Sequence, residues 1–263
     1  MFERVLFFVY GVVSYVIFLG TFLYAVGFVG NFGVPTTLDG PASGPLLVAL
    51  AVDVALLGLF AAQHSVMARP WFKAWWTRIV PQPVERSTYV LFSSLALVLM
   101  FWLWRPLGGE VWSVESAGGR AALYALCAFG WGLVLVSTFL INHFDLFGLR
   151  QVWLALRGRP YTQLRFGTPG PYRLVRHPLY VGWFFAFWIT PTMSLAHLLF
   201  AVATTAYILI AIRFEERDLV REHGEAYERY RRDVPMLVPF ARRRPTAAVP
   251  SMSGNSDGLR DTP

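Results

Sequence analysis

Residues 173–183 read RLVRHPLYVGW, and the next dense polar cluster, residues 214–239, reads FEERDLVREHGEAYERYRRDVPMLVP. Between them lie two apolar runs joined at Thr190-Pro191-Thr192. How those runs are read decides the fold. As one continuous crossing they would carry the two clusters to opposite sides of a membrane. As a hairpin they return the chain, near Glu215, to the aqueous edge it left at His177.

The placement of charge selects the hairpin. Of the 23 basic residues, only Arg105 and Arg120 fall in the loops at 30–45 and 105–120. The others lie at the N-terminus, at 69–86, at 150–176 and after Ile212. Loops rich in Lys and Arg mark the cytoplasmic side, so the loops alternate and both termini are expected inside. One crossing from His177 to Arg213 would put the arginine-rich C-terminus outside.

The rest of the chain supports a membrane reading. Its 263 residues are 56% hydrophobic and 15% charged, too little charge to cover a soluble domain of that size. Ten tryptophans suit membrane interfaces. Cys127 is the lone cysteine, which excludes an intramolecular disulfide. The net charge of +7 follows from loop topology, and no nucleic-acid partner is expected. Arg4 leads directly into an apolar run without a small-residue cleavage site, so no cleavable signal is expected.

Runs of about 20 apolar residues cross a bilayer. They place spans at 5–29, 46–67, 87–104, 121–141 and 193–212, with a short or re-entrant arm at 179–190. The expected fold is an all-α, polytopic integral membrane helix bundle: four spans plus a C-terminal helical hairpin. It forms one domain at 1–239, with an amphipathic cytosolic cap at 213–239 and a disordered tail at 240–263. Within the cap, Gly224 is expected to separate two short helices, 214–222 and 225–232. Ala128 and Gly132 make a small-xxx-small step suited to close helix contact.

Polar groups inside such a bundle are informative. Asp53 and His64 share a face of the second span, roughly 16 Å apart along its axis; His64 is at the cytoplasmic end. Asn142, His143 and Asp145 form a polar shelf where the fourth span ends. His143 and Asp145 lack the i,i+4 spacing of a helical metal pair, and no metal site is expected. His177 and Tyr180 lie one turn apart at a helix start, with Pro178 in the first turn, and can face one cavity.

Arg176-His177-Pro178-Leu179-Tyr180-Val181-Gly182, the hairpin, Glu215-Glu216, then Gly224, Tyr227, Tyr230 and Val234-Pro235 form a compound pattern. It resembles the C-terminal signature of the isoprenylcysteine carboxyl methyltransferase superfamily, which includes phospholipid methyltransferases and NnrU-like membrane proteins. Gln63-His64-Ser65 and residues 142–148, NHFDLFG, are more closely similar to the bacterial methanethiol S-methyltransferases. The resemblance implies use of S-adenosylmethionine without a Rossmann fold. It also implies that Arg176 and His177 bind the cofactor's carboxylate and neighbouring polar groups. Tyr180 and Glu216 would line its methionyl or ribose end, and Pro178, Glu215 and Tyr227 would complete the pocket.

Methyl transfer from a sulfonium to a thiolate dissipates charge, so a partly desolvated pocket favours the reaction. The thiol must also lose its proton. His64 and Asp145, then His143, are the candidates by their position at the cytoplasmic mouth. The expected partners are a small thiol and the bilayer of a bacterial inner membrane, with no obligate protein partner. No residue pattern marks the acceptor. An isoprenylcysteine or lipid acceptor therefore stays open, as does a non-enzymatic NnrU-like role.

Overall fold

The computed structural model describes residues 1–164 and 166–240; the tail expected beyond them lies outside the described residues. The chain runs through α1 (Phe2–Gly30), α2 (Leu46–Ala68), α3 (Pro70–Trp76), α4 (Gln82–Leu103), β1 (Glu110–Ser113) and α5 (Ala117–Ile141). It continues through α6 (His143–Leu146), α7 (Leu149–Leu156), α8 (Pro178–Trp188), β2 (Thr192–Ser194), α9 (Leu195–His223) and α10 (Glu225–Asp233). Helices α1, α2, α4, α5 and α9 are long and apolar enough to cross a membrane. Their outer faces are apolar too: Leu47 is 78% exposed and Trp102 77%. Such surface is unfavourable in water and matches hydrocarbon. The molecule is an all-α polytopic membrane bundle.

Polar contacts sort the bundle into two ends. At one, the Tyr10 hydroxyl donates to Thr88 Oγ1 at 3.0 Å, Arg86 Nε donates to the Leu146 carbonyl at 2.8 Å, and Arg69 pairs with Asp218 at 3.5 Å. At the other, Asp53 Oδ1 accepts from the Arg105 backbone N–H at 3.0 Å. The described arginine-rich segments gather at the first end, as their alternation along the chain requires. Asp53, read from sequence on the same face as His64 but about 16 Å away along the axis, is thus tied to a loop at the opposite end.

The hairpin's first arm crosses the bundle although its helix is short. The eleven residues of α8 span about 16 Å. Beyond Trp188 the chain runs on to β2, which pairs antiparallel with β1 in the loop between α4 and α5. Trp112 Nε1 donates to the Thr190 carbonyl at 3.1 Å and pins the join. This two-stranded ribbon was not legible in the loop at 105–120, read from sequence only for its charge. Ser194 then caps α9, its hydroxyl accepting from the His197 N–H at 3.2 Å.

Two sequence expectations need correction. The last span and the first cap helix form one helix, α9, of 29 residues, rather than separate pieces meeting near Arg213. Residues 195–223 contain no Gly or Pro, so the change from apolar to charged alters the surroundings and leaves the backbone intact. Gly224, at φ 54°, ends it and begins α10. The second correction concerns Ala128 and Gly132, which are exposed on the lipid side of α5. The close approach is made instead by Gly130 and Gly182, between α5 and α8. A Cβ on Gly182 would lie 2.7 Å from the Gly130 carbonyl oxygen, and one on Gly130 2.7 Å from the Ala186 nitrogen.

Because backbone atoms block those positions, Gly182→Val is expected to destabilise the bundle by at least the roughly 1–3 kcal/mol typical of overpacking. Thermal unfolding in detergent measures this, with Gly132→Val, into open space, expected to be neutral.

The main apolar core, with Phe28, Phe101, Trp104, Phe187 and Phe200, lies toward the ribbon end. A smaller cluster of Met67, Tyr89 and Val90, backed by Phe18 and Phe147, lies under the charged end. At the ribbon end Asp39 is the polar latch. It accepts from the Ser194 N–H at 2.7 Å, from His197 Nδ1 at 2.9 Å, and from the Asn31 side-chain amide. Burial alone would raise its pKa, but the His197 and Ser194 hydrogen bonds outweigh it and hold the carboxyl below its usual range. A depressed carboxylate adds stability above its unfolded pKa of about 3.9, lost as pH falls through the folded value. The stability difference between wild type and Asp39→Asn is therefore expected to be constant near neutrality and to shrink below about pH 4, read from paired melting curves.

Candidate active site

The strap after α10 lies along the RHP segment. The Arg176 and His177 N–H groups donate to the Pro235 and Met236 carbonyls at 2.9 and 3.2 Å. The Arg176 side chain turns inward: Nε donates to Glu216 Oε1 at 2.7 Å, and one terminal nitrogen donates to the Arg231 and Val234 carbonyls at 3.0 and 2.6 Å. A cation thereby closes the C-terminal end of α10, where free carbonyls gather. His177 Nε2 lies 3.1 Å from the same Glu216 oxygen, and its Nδ1 lies 3.9 Å from Glu215. Arg176 and His177 are only 8% and 4% exposed. One turn on, the Tyr180 hydroxyl donates to Glu215 Oε2 at 2.8 Å.

α10 brings Tyr227 into this shell, buried, with a hydroxyl that has no hydrogen-bond partner among the described residues. Burial, then the nearby Glu216 charge, holds its phenol above the ordinary range. Burial likewise pushes Tyr230 up to about 12, and its hydroxyl donates to the Tyr172 carbonyl at 2.6 Å. Phe166 sets its ring edge-on to Tyr227 and Tyr230, and Gln163 donates to Glu222, so the segment before the RHP motif roofs the site. Arg176, His177, Pro178, Tyr180, Glu215, Glu216 and Tyr227 thus share one mouth.

His64 lies deeper, between α2 and α4. The Tyr89 hydroxyl is 2.9 Å from its Nε2, Ser93 Oγ is 3.2 Å from its Nδ1, and Phe60 stacks on its ring. On its other side Tyr207 meets the ring edge-on and takes a hydrogen bond from Ser65 at 3.2 Å. Tyr207 precedes Glu215 by eight residues on α9, about 12 Å along the helix, so His64 lies on the side of α9 that leads to the mouth.

His143 and Asp145 lie elsewhere at the same end. The His143 ring stacks on Phe139 at 4.2 Å, with Nε2 2.8 Å from the Tyr15 hydroxyl and Nδ1 2.8 Å from Thr138 Oγ1. Burial holds its pKa below the usual imidazole value. Asp145 pairs with Arg150 at 2.8 Å and accepts from the Tyr161 hydroxyl at 3.3 Å. Among the described residues, no hydrogen bond or ring contact joins either residue to His64 or to the Arg176–Glu216 shell.

Sequence reasoning missed Tyr89, Ser93 and Tyr207. A signal was available for all three: Tyr207 and Glu215 are two i,i+4 steps apart on α9, hence on one face, and Tyr89 and Ser93 are one such step apart on α4.

The chain is thus a polytopic helical membrane bundle with an interlocked Arg-His and Glu-Glu shell and a buried aromatic-histidine cluster. The chain is 62% identical over 231 residues to a methanethiol S-methyltransferase of Crocosphaera subtropica, covering 88% of this chain and 91% of that protein. It is 54% identical over 241 residues to one of Mycobacterium tuberculosis, covering 92% and 99%. Nurim of Sus scrofa is 32% identical over 183 residues, 66% of this chain and 69% of its own. No family model and no solved structure matches the chain. The chain belongs to the methanethiol S-methyltransferase family.

Proposed function

We propose that the protein methylates methanethiol to dimethyl sulfide, with S-adenosylmethionine as donor, at the mouth formed by α2, α8 and α9. The observation that carries this reading is the interlock of Arg176 and His177 with Glu216 beside Tyr180–Glu215, in a chain so similar to named methanethiol S-methyltransferases. The clustering of arginine-rich segments at that end supports a mouth open to the cytosol, with both termini inside.

The residues present fit the cofactor. Glu215 keeps one carboxylate oxygen uncommitted and exposed for an ammonium or ribose hydroxyl. The orphaned Tyr227 hydroxyl offers a buried donor, and the rings of Tyr180, Tyr227 and Phe166 suit a sulfonium. Arg176 is a positioning residue in this reading: its Nε and one terminal nitrogen hold Glu216 and the carbonyls that end α10. His177 orients Glu216 from the other side, and Pro178 fixes the helix start that aims both.

When bound, the cofactor supplies an electrophilic methyl group on a positively charged sulfur. In such a transfer that methyl–sulfur bond would be exchanged for a bond to the acceptor sulfur, and this chain would have to supply a base for the acceptor's proton. We assign that base to His64, whose ring meets Tyr207 on the helix that carries Glu215 and Glu216, whereas among the described residues His143 and Asp145 make no contact with that shell and Asp145 is held by Arg150 and Tyr161. Tyr89 and Ser93 orient the imidazole, and the surrounding aromatic rings exclude water. The test offers purified protein and donor three acceptors: methanethiol, an isoprenylated cysteine and phosphatidylethanolamine. Only the first should be methylated; methylation of either other would reassign the substrate.

A further inference from the structure

Beside the mouth, on the face of α9 opposite Glu215 and Asp218, lies a groove of about 530 Å³ lined by Arg213, Glu216, Arg217, Val220, Arg221 and Arg231. Its one carboxylate, Glu216, is committed to Arg176 and His177. Among the described residues no acid pairs with Arg213, Arg217 or Arg231, and Arg221 has only a 3.5 Å contact with Asp218. Four guanidinium groups therefore converge on a groove whose positive charge is unbalanced. Arg231 is fixed there because its carbonyl is held by Arg176, and Arg217 rests on the Phe214 ring at 5.7 Å. The opposite face of α9 presents Glu215 to Tyr180 and Asp218 to Arg69, so acid and base are segregated around one helix.

We propose that this groove binds the phosphate of an anionic phospholipid. Guanidinium forks match phosphate oxygens in pairs, and depth selects a lipid phosphate over a soluble one. Arg213 directly follows Ile212, the last residue of the apolar run. Arg217 lies about 6 Å further along the helix, within the roughly 5–8 Å headgroup layer of one leaflet. The half-exposed Phe214 sits at the same level, where aromatic rings anchor helices at the interface. Arg221 and Arg231 close the groove from the aqueous side.

The test is native mass spectrometry of the full chain in detergent, titrated with phosphatidylglycerol or phosphatidylcholine, with inorganic phosphate as competitor. Wild type should retain one phosphatidylglycerol selectively, undisturbed by millimolar phosphate. Arg213→Gln/Arg217→Gln should weaken it roughly thirtyfold, at about 1 kcal/mol for each arginine. Should that pair fail to fold, Arg221→Gln/Arg231→Gln should give the same loss. Equal retention of both lipids, full retention by a folded variant, or displacement by inorganic phosphate would each overturn the proposal. Lost S-adenosylhomocysteine binding with lipid retention intact would also overturn it and assign the groove to the methyl donor.

Discussion

His64→Ala is expected to lower dimethyl sulfide formation by about 10²–10⁴-fold, the usual contribution of a positioned general base. The loss should fall on kcat, with binding of S-adenosylhomocysteine unchanged, because His64 belongs to the α2–α4 cluster and not to the Arg176–Glu216 shell. The pH dependence discriminates a base from a packing residue. Without His64, only thiol already ionised in solution can react, so the variant's rate should rise about tenfold per pH unit below the thiol pKa. A variant impaired merely by repacking would keep the wild-type pH profile. Tyr89→Phe, which removes the hydroxyl 2.9 Å from Nε2, should fall between the two.

Glu216→Ala is expected to have the largest effect on stability. It leaves the buried Arg176 guanidinium and His177 without their shared acceptor. Breaking a buried pair by removing one partner costs about 3–5 kcal/mol, because the remaining charge is uncompensated. Thermal unfolding in detergent should show a clear loss for Glu216→Ala and a smaller one for Glu216→Gln, whose amide oxygen still accepts. Arg176→Ala should resemble Glu216→Ala, since it also frees the Arg231 and Val234 carbonyls. Near-additive losses in the double variant would separate the two residues energetically and contradict the interlock.

The sequence reveals the spans because the absence of charge over twenty residues has one physical meaning in a bilayer. The hairpin is legible because arginines report sidedness. Helix faces are not legible in the same way. Lipid and protein interior are both apolar, so periodicity could not place Gly130 inward and Gly132 outward on α5. The continuity of α9 was hidden by a change of solvent that resembles a boundary. At the site, the seven residues of the two motifs were named from a resemblance, yet their contacts were not. Arg176 turns inward because a strap some sixty residues later covers it. His143 is engaged by Tyr15, 128 residues earlier. Such contacts belong to the packed bundle and leave no local trace.

The most direct test uses purified wild-type protein with methanethiol and S-adenosylmethionine deuterated in its methyl group, and headspace mass spectrometry of the sulfide. The account predicts dimethyl sulfide carrying one trideuterated methyl group, formed by wild type and lost in folded His64→Ala and Glu216→Gln variants. Unlabelled sulfide, or labelled sulfide formed equally by those variants, would contradict it.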